Sequence, residues 1–217
     1  MLVNFFYTSI LILLISTGCN QNPSPSPYLN WQSIAGRNDE QSTTCPLLYR
    51  AHVPFHWRRK DPPIGESIAD TTQSICEFYI QEDDQTIRIT IHTFPIMPNA
   101  KRIPSQAHVM RWKRQFEELD VLATHVLPES HGGFSGLYFE GQGLLQKQTV
   151  KVIAWSMQLA SLYEQQLNLE KHSLDRYKRA DYTIKASGPP PLMDQHRAAI
   201  LAFARSFELI DELPSPL

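Results

Sequence analysis

Charge is missing from the start of this chain. None of the first 18 residues is charged; all 20 Lys+Arg, all 22 Asp+Glu and all 16 Pro follow Gly18. Beyond that point, long apolar runs are missing. No later stretch approaches the roughly 20 apolar residues of a spanning helix, which excludes a polytopic membrane protein. Neither sign of charge is in excess. A formal net charge of −2 over 217 residues lacks the footprint of a dedicated nucleic-acid binder. Catalytic signatures are also wanting. There is no Gly-x-Ser-x-Gly, and Gly141-x-Gly143 lacks the third glycine and the strand-to-helix context of a nucleotide loop. What is present is 42% apolar residues, enough for a core and too many for a disordered chain.

The first 18 residues carry a signal of their own. The mostly apolar stretch Phe5–Ile15 is short for a membrane span and has the length of a signal-peptide h-region. It ends in Ser16-Thr17-Gly18-Cys19. This segment resembles the bacterial lipoprotein signal, in which an aliphatic residue and two small residues precede a cysteine that is lipidated. Ser16 stands where leucine is usual, with Ile15 one place back, and Met1–Asn4 carry no positive charge. The resemblance implies a diacylglycerol thioether on Cys19, cleavage before it, and N-acylation of the palmitate type. A plain secretory signal and an uncleaved amino-terminal anchor are the alternatives. Two or three acyl chains would make the attachment effectively permanent, because each buried methylene adds about 0.8 kcal/mol.

The stretch Asn20–Pro27 alternates Pro with polar residues and has nothing to bury. Pro holds such a chain extended at about 3.1 Å per residue, so Asn20–Asn30 reads as a spacer of roughly 30 Å. The organisation expected is a signal peptide at 1–18, Cys19 with a tether at 19–44, one α+β domain at 45–210 and a tail at 211–217. Ordered structure begins near Trp31 or Cys45. The resemblance implies a cell-envelope location, anchored in the bilayer through acylated Cys19 on the periplasmic face of the outer or inner membrane. Asn20 in place of Asp is compatible with transfer to the outer membrane. With Cys19 set aside, Cys45 and Cys76 form the remaining pair. An oxidising compartment favours a disulfide between them, worth about 3–4 kcal/mol in the chain-entropy model. Two buried thiols are the alternative, since Cys76 falls on an apolar strand face.

Period-two alternation is clearest in a hairpin. Cys76, Phe78 and Ile80 share one face; a polar turn at Glu82-Asp83-Asp84 follows; then Ile87, Ile89 and Ile91 face inward while Arg88, Thr90 and His92 face outward. Other strands are expected at Leu47–Val53, Val121–Leu127, Phe134–Glu140, Leu144–Met157 and Tyr182–Ala186, with Gly141-Gln142-Gly143 closing a hairpin. A helix capped by Ser105 is expected to carry Val109, Trp112, Phe116 and Leu119 at spacings of 3, 4 and 3. The stretch Leu159–Tyr177 reads as helical or irregular. A final helix carries Leu192, His196, Ala199, Ile200, Phe203 and Phe207. The fold class is therefore α+β, an antiparallel sheet flanked by helices. The segment Pro54-Phe55-His56-Trp57, the strand Tyr182–Ala186, the step Ser187-Gly188-Pro189 and the closing Ser206-Phe207 resemble the PsbP/Mog1-like sandwich of DcrB-type lipoproteins. That resemblance implies binding or assembly in place of catalysis and transfers no site residues.

Local chemistry is sparse. His52 and His56, with His92 as a third group, are the weak metal candidates, but Pro54 argues against a helical His pair. An envelope hydrolase or metal enzyme using His52, His56, His92 and His131 is the alternative function. Ser130 beside His131 lacks the distant origin of triad partners, and Glu82-Asp83-Asp84 lacks calcium-loop spacing. Trp57, Arg58, Arg59 and Lys60 form a compact basic-aromatic group that could face anionic lipid or a partner, with a solvated turn as the alternative. Arg111, Lys113 and Arg114 read as the wet face of a helix. No catalytic residue, cofactor or nucleic-acid partner is implied. The expected partners are the bilayer and an envelope protein or small apolar ligand.

Overall fold

The computed structural model describes residues 29–35, 47–62, 71–94, 101–169 and 181–210. Its strands are β1 (Leu29–Ala35), β2 (Leu47–Pro54), β3 (Arg58–Lys60), β4 (Cys76–Glu82), β5 (Gln85–Phe94), β6 (Glu118–Leu119), β7 (His125–His131), β8 (Phe134–Leu145), β9 (Gln148–Leu159), β10 (Asp181–Gly188) and β11 (Glu208–Leu209). The helices are α1 (Ser105–Lys113), α2 (Ser161–Leu169) and α3 (Pro190–Arg205). β1, β2 and β11 form a small sheet in the order β1-β2-β11. The others form an eight-stranded sheet, β3-β4-β5-β10-β9-β8, with β6 and β7 both pairing the outer edge of β8. Every pairing is antiparallel. The α+β class is as expected.

Alternation sorts the large sheet into two faces. On the inner face, Phe78, Ile89, Ala186 and Ile153 follow one another across four strands, as do Cys76, Ile91, Ile184 and Trp155. α3 and the small sheet close over them. Tyr49, Ala51 and Val53 of β2 and Ile200 and Phe203 of α3 join one buried cluster. Phe207 stacks on Tyr49 at 4.9 Å and tilts against Tyr182 at 4.6 Å. Each such side chain contributes about 1.5–3 kcal/mol on burial. α3 opens on Pro190-Pro191, where amide protons would have no helical acceptor. At its other end, the Ser206 hydroxyl donates to the Phe203 carbonyl and accepts from the His52 amide, tying α3 to β2.

Several elements differ from the sequence reading, each for a tertiary reason. α1 stops at Lys113. Beyond it the Glu117 amide donates to the Leu144 carbonyl, and Glu118 and Leu119 pair with β8, so sheet pairing overrides the helical spacing of Phe116 and Leu119. Ser105 makes no cap; its hydroxyl donates to the Ser156 carbonyl and fastens the helix start to β9. Gly141-Gln142-Gly143 lies inside β8, and the turn falls at Gln146-Lys147, both at positive φ (51° and 63°). Gly143 serves a close crossing, because a Cβ there would sit 2.1 Å from the Glu118 carbonyl oxygen. Residues Val121–Thr124 form a turn capped by Asp120, and the expected strand begins at His125. Of the two expected starts of ordered structure, β1 corresponds to the earlier, near Trp31. β1 thus takes Leu29 and Asn30 from the spacer expected at Asn20–Asn30, and 29–35 from the tether expected at 19–44, by pairing them with β2. The remainder of the spacer, 20–28, and the tail at 211–217 lie outside the described residues, as does 170–180.

Candidate functional site

The outer face of the large sheet is divided. One register row runs Lys60, Glu77, Thr90, Lys185, Ala154, Phe139 from β3 to β8. It is polar as far as β10 and apolar from β9 onward. Val109 and Trp112 of α1, with Phe116 just after it, pack on Phe139, Val152 and Ala154 and seal the apolar half. The polar half lies open beside the helix as a groove of about 740 Å³. Its floor is Arg88, Thr90 and His92 of β5 with Thr183, Lys185 and Ser187 of β10; Arg111 and Gln115 stand on the helix side.

The groove's carboxylates are engaged. Glu77 is 7% exposed and accepts hydrogen bonds from the Ser74 hydroxyl (2.7 Å), the Tyr79 hydroxyl (2.5 Å) and Arg88 Nε and Nη2 (3.0 and 2.6 Å). Burial by itself would raise its pKa, but those donors outweigh it and hold the carboxyl at about 2. Asp61 pairs with Arg59 at 2.8 Å. The cations are less evenly matched. Lys185 donates to the Gln115 amide oxygen at 3.2 Å and makes no ion pair among the described residues. Burial lowers its pKa, and the positive charges of Arg111 and Arg88 lower it further. Among the described residues, Arg111 has the Nδ1 of His108 within hydrogen-bond reach, at 3.3 Å. His108 lies buried beneath it and is pushed to about 4, by burial first and then by Arg111.

The residues singled out from sequence have separate fates. Trp57 is not partner-facing: it is 4% exposed, 5.3 Å from Phe203 and 6.2 Å from Phe78. A turn in which its amide donates to the Pro54 carbonyl folds the indole back into the core. Arg58 lies over the Tyr79 ring at 5.2 Å, Arg59 donates to the Ser33 carbonyl, and Lys60 lines the groove. His52, His56 and His92 fall in three places. His52 meets the Trp31 ring tilted at 42° with centroids 3.6 Å apart, His56 is 6.3 Å from the His196 ring, and His92 is in the groove. Among the described residues, no three His, Cys, Asp or Glu side chains gather as a metal set. Ser130 and His131 are consecutive in β7 and so point to opposite faces. His131 instead meets the Tyr182 hydroxyl at 2.9 Å, and burial lowers its pKa. Glu82 holds α3 through His196 (2.6 Å) and Gln195 (2.9 Å). Cys76 is a free, fully buried thiol, with burial pushing its pKa up to about 12. Cys45 and Cys19 lie outside the described residues.

Lys185, Arg111, Gln115 and Glu77 were not singled out as site residues by their sequence context. The trace that existed was the alternation Thr183, Lys185, Ser187, polar residues on one face of a strand whose other face is apolar.

No protein-family model and no curated protein matches the chain. Among solved structures it is similar to the PsbP protein of the cyanobacterium Synechocystis (TM-score 0.48, 13% identity, covering 88% of this chain and 96% of that one). It is also similar to LpqN, a protein involved in cell envelope biogenesis of Mycobacterium tuberculosis (TM-score 0.47, 10% identity, covering 84% and 91%).

Proposed function

We propose that this chain is a lipid-anchored cell-envelope protein whose domain is a non-catalytic binding module, with the groove beside α1 as its ligand surface. The observation that carries the binding role is the groove itself. Its volume of about 740 Å³ falls within the range of small-molecule sites, and polar groups from β3, β5, β10 and α1 converge on it. Its buried carboxylate is a poor general base, because Glu77 is held by four hydrogen bonds at a pKa of about 2. The lining supports a polar ligand in place of the small apolar one expected from sequence. Anchoring rests on Ser16-Thr17-Gly18-Cys19 and the Pro-spaced stretch after it, as does placement on the periplasmic face. Cys76 is a free thiol in the structure, so a Cys45–Cys76 disulfide in an exported setting would need Cys45 to reach it, which non-reducing peptide mapping decides.

The binding role is tested by placing a photo-crosslinking residue at Gln115, on the groove wall, and at Lys147, in the exposed β8–β9 turn. Adducts identified by mass spectrometry from position 115 and absent from 147 are the expected result. Equal or absent adducts at the two positions would overturn it. Anchoring is read from the mass of the mature amino terminus: an acylated Cys19 is expected, and an unmodified one refutes it.

A further inference from the structure

Resting on that binding reading, we propose that the groove takes a phosphate group, held between Lys185 and Arg111 with Arg88 beside them. The argument starts from an unbalanced charge. An ammonium drawn out of water is costly unless an opposite charge accompanies it. Among the described residues, the hydrogen-bond partner of Lys185 is the neutral amide of Gln115. Its cross-strand neighbours are Thr90 on one side and Ala154 on the other, neither of which carries charge. The nearest carboxylate along the row, Glu77, lies beyond Thr90 and is committed to Arg88, Tyr79 and Ser74. Asp61 is committed to Arg59.

The neighbours that remain make matters worse for a bare ammonium and better for an anion. Arg88 pairs with Ser187 and Thr90 pairs with Lys185, so Arg88 and Lys185 are diagonal neighbours on one face, about 7–8 Å apart across adjacent strands. Arg111 approaches from α1, and its positive charge and that of Arg88 both bear on Lys185. Lys60 stands three strands away in the same row, at the far end of the groove, where it adds long-range attraction. Hydroxyls of Thr183 and Ser187 flank Lys185 along β10 and can donate to an anionic oxygen. A carboxylate would match one of these cations. A phosphate monoester carries about −1.5 to −2 at neutral pH and has three acceptor oxygens, which matches Lys185 and Arg111 together.

The shared chemistry has two sources, a soluble phosphate monoester and the phosphomonoester headgroup of phosphatidic acid. The test uses the full-length acylated protein in a phosphate-free maltoside detergent, titrated calorimetrically with glycerol 3-phosphate. Saturable binding is expected, weakened about tenfold or more by Lys185→Met and by Arg111→Ala and unchanged by Lys147→Met. Arg111 is exposed, so its variant folds even where a change at Lys185 disturbs the sheet; unfolding midpoints verify this. In a second arm, phosphatidic acid is added to the micelles. Competition with glycerol 3-phosphate identifies the headgroup as an occupant, and its absence identifies a soluble ester; both sustain the phosphate site. Absence of saturable binding, or binding by both variants as tight as by the unaltered protein, overturns it. If position 115 still yields specific crosslinks in that event, the phosphate inference fails while the binding reading stands; loss of both removes the two together.

Discussion

On its inner face the eight-stranded sheet presents Phe78, Ile89, Ile91, Ile184 and Trp155, all fully buried under α3 and the small sheet. On its outer face the same strands present Glu77, Arg88, Thr90, Thr183 and Lys185, only partly walled by α1. Both faces carry a buried glutamate. Inside, Glu140 accepts from Arg197 Nε and Nη2 (3.1 and 2.8 Å), from Lys151 (2.8 Å) and from Tyr138, joining α3 to the sheet. Outside, Glu77 is satisfied by groups of its own strand and its neighbours. The difference teaches where charge is balanced and where it is left over. The inner network is closed, with its acid and bases matched, and it ties two layers together. The outer face has its acids engaged and, among the described residues, no acid paired with Lys185 or Arg111, which suits a surface that meets something from outside.

The largest effect should come from breaking the inner face. Trp155→Ala removes a side chain with no solvent exposure and should cost about 3–5 kcal/mol in urea unfolding. Phosphate binding by the fraction that stays folded should persist. Next is acid. Burial would raise Glu140, but the donors from Arg197, Lys151 and Tyr138 outweigh it and hold it at about 2, as Glu77 is held on the other face. In the unfolded chain these groups titrate near the ordinary glutamate value, so stability is complete above that value and is lost as pH falls from about 4.5 to 2. Each carboxylate accounts for about 3 kcal/mol at most. His108 adds an earlier loss. Its folded pKa is depressed to about 4, so the unfolded chain gains a proton first, and stability already declines as pH falls from about 6.5 to 4. Unfolding midpoints measured from pH 7 to 2 should show both stages, and Glu140→Gln should reduce the lower one.

A smaller loss is expected at the sheet edge. Gly143→Ala forces β6 away from β8, because the new Cβ meets the Glu118 carbonyl, and should cost about 1–3 kcal/mol by thermal unfolding. The smallest effect sharpens the comparison most. Lys185→Met removes a desolvated, unpaired charge from the outer face, and its unfolding free energy should move by no more than about 0.5–1 kcal/mol in either direction. A large destabilisation there would mean that the outer face, like the inner one, is built for stability.

Much of the framework was legible because it depends on side-chain period. Ile87, Ile89 and Ile91 against Arg88, Thr90 and His92 announced a strand with one buried and one polar face, and β5 has that form. The helix from Ser105 was legible at its start, but its end was not. Phe116 and Leu119 continue the helical spacing, and only the nearness of β8 turns them into sheet partners. Trp57 illustrates the same limit. Its basic neighbours suggested a surface group, whereas the turn from Pro54 aims its ring at Phe78 and Phe203.

The α+β class, the inward residues of β4, β5 and β10, and the uncharged apolar run before Cys19 can be read from the chain alone, because alternation and composition are local properties. That α1 covers β8 and β9 and leaves β5 and β10 open is a product of long-range packing. So is the placing of Lys185 beside Arg88 and Arg111, with no acid paired to Lys185 or Arg111 among the described residues. Whether a lysine is paired depends on residues that are distant in the chain, and no period or spacing within β10 records them.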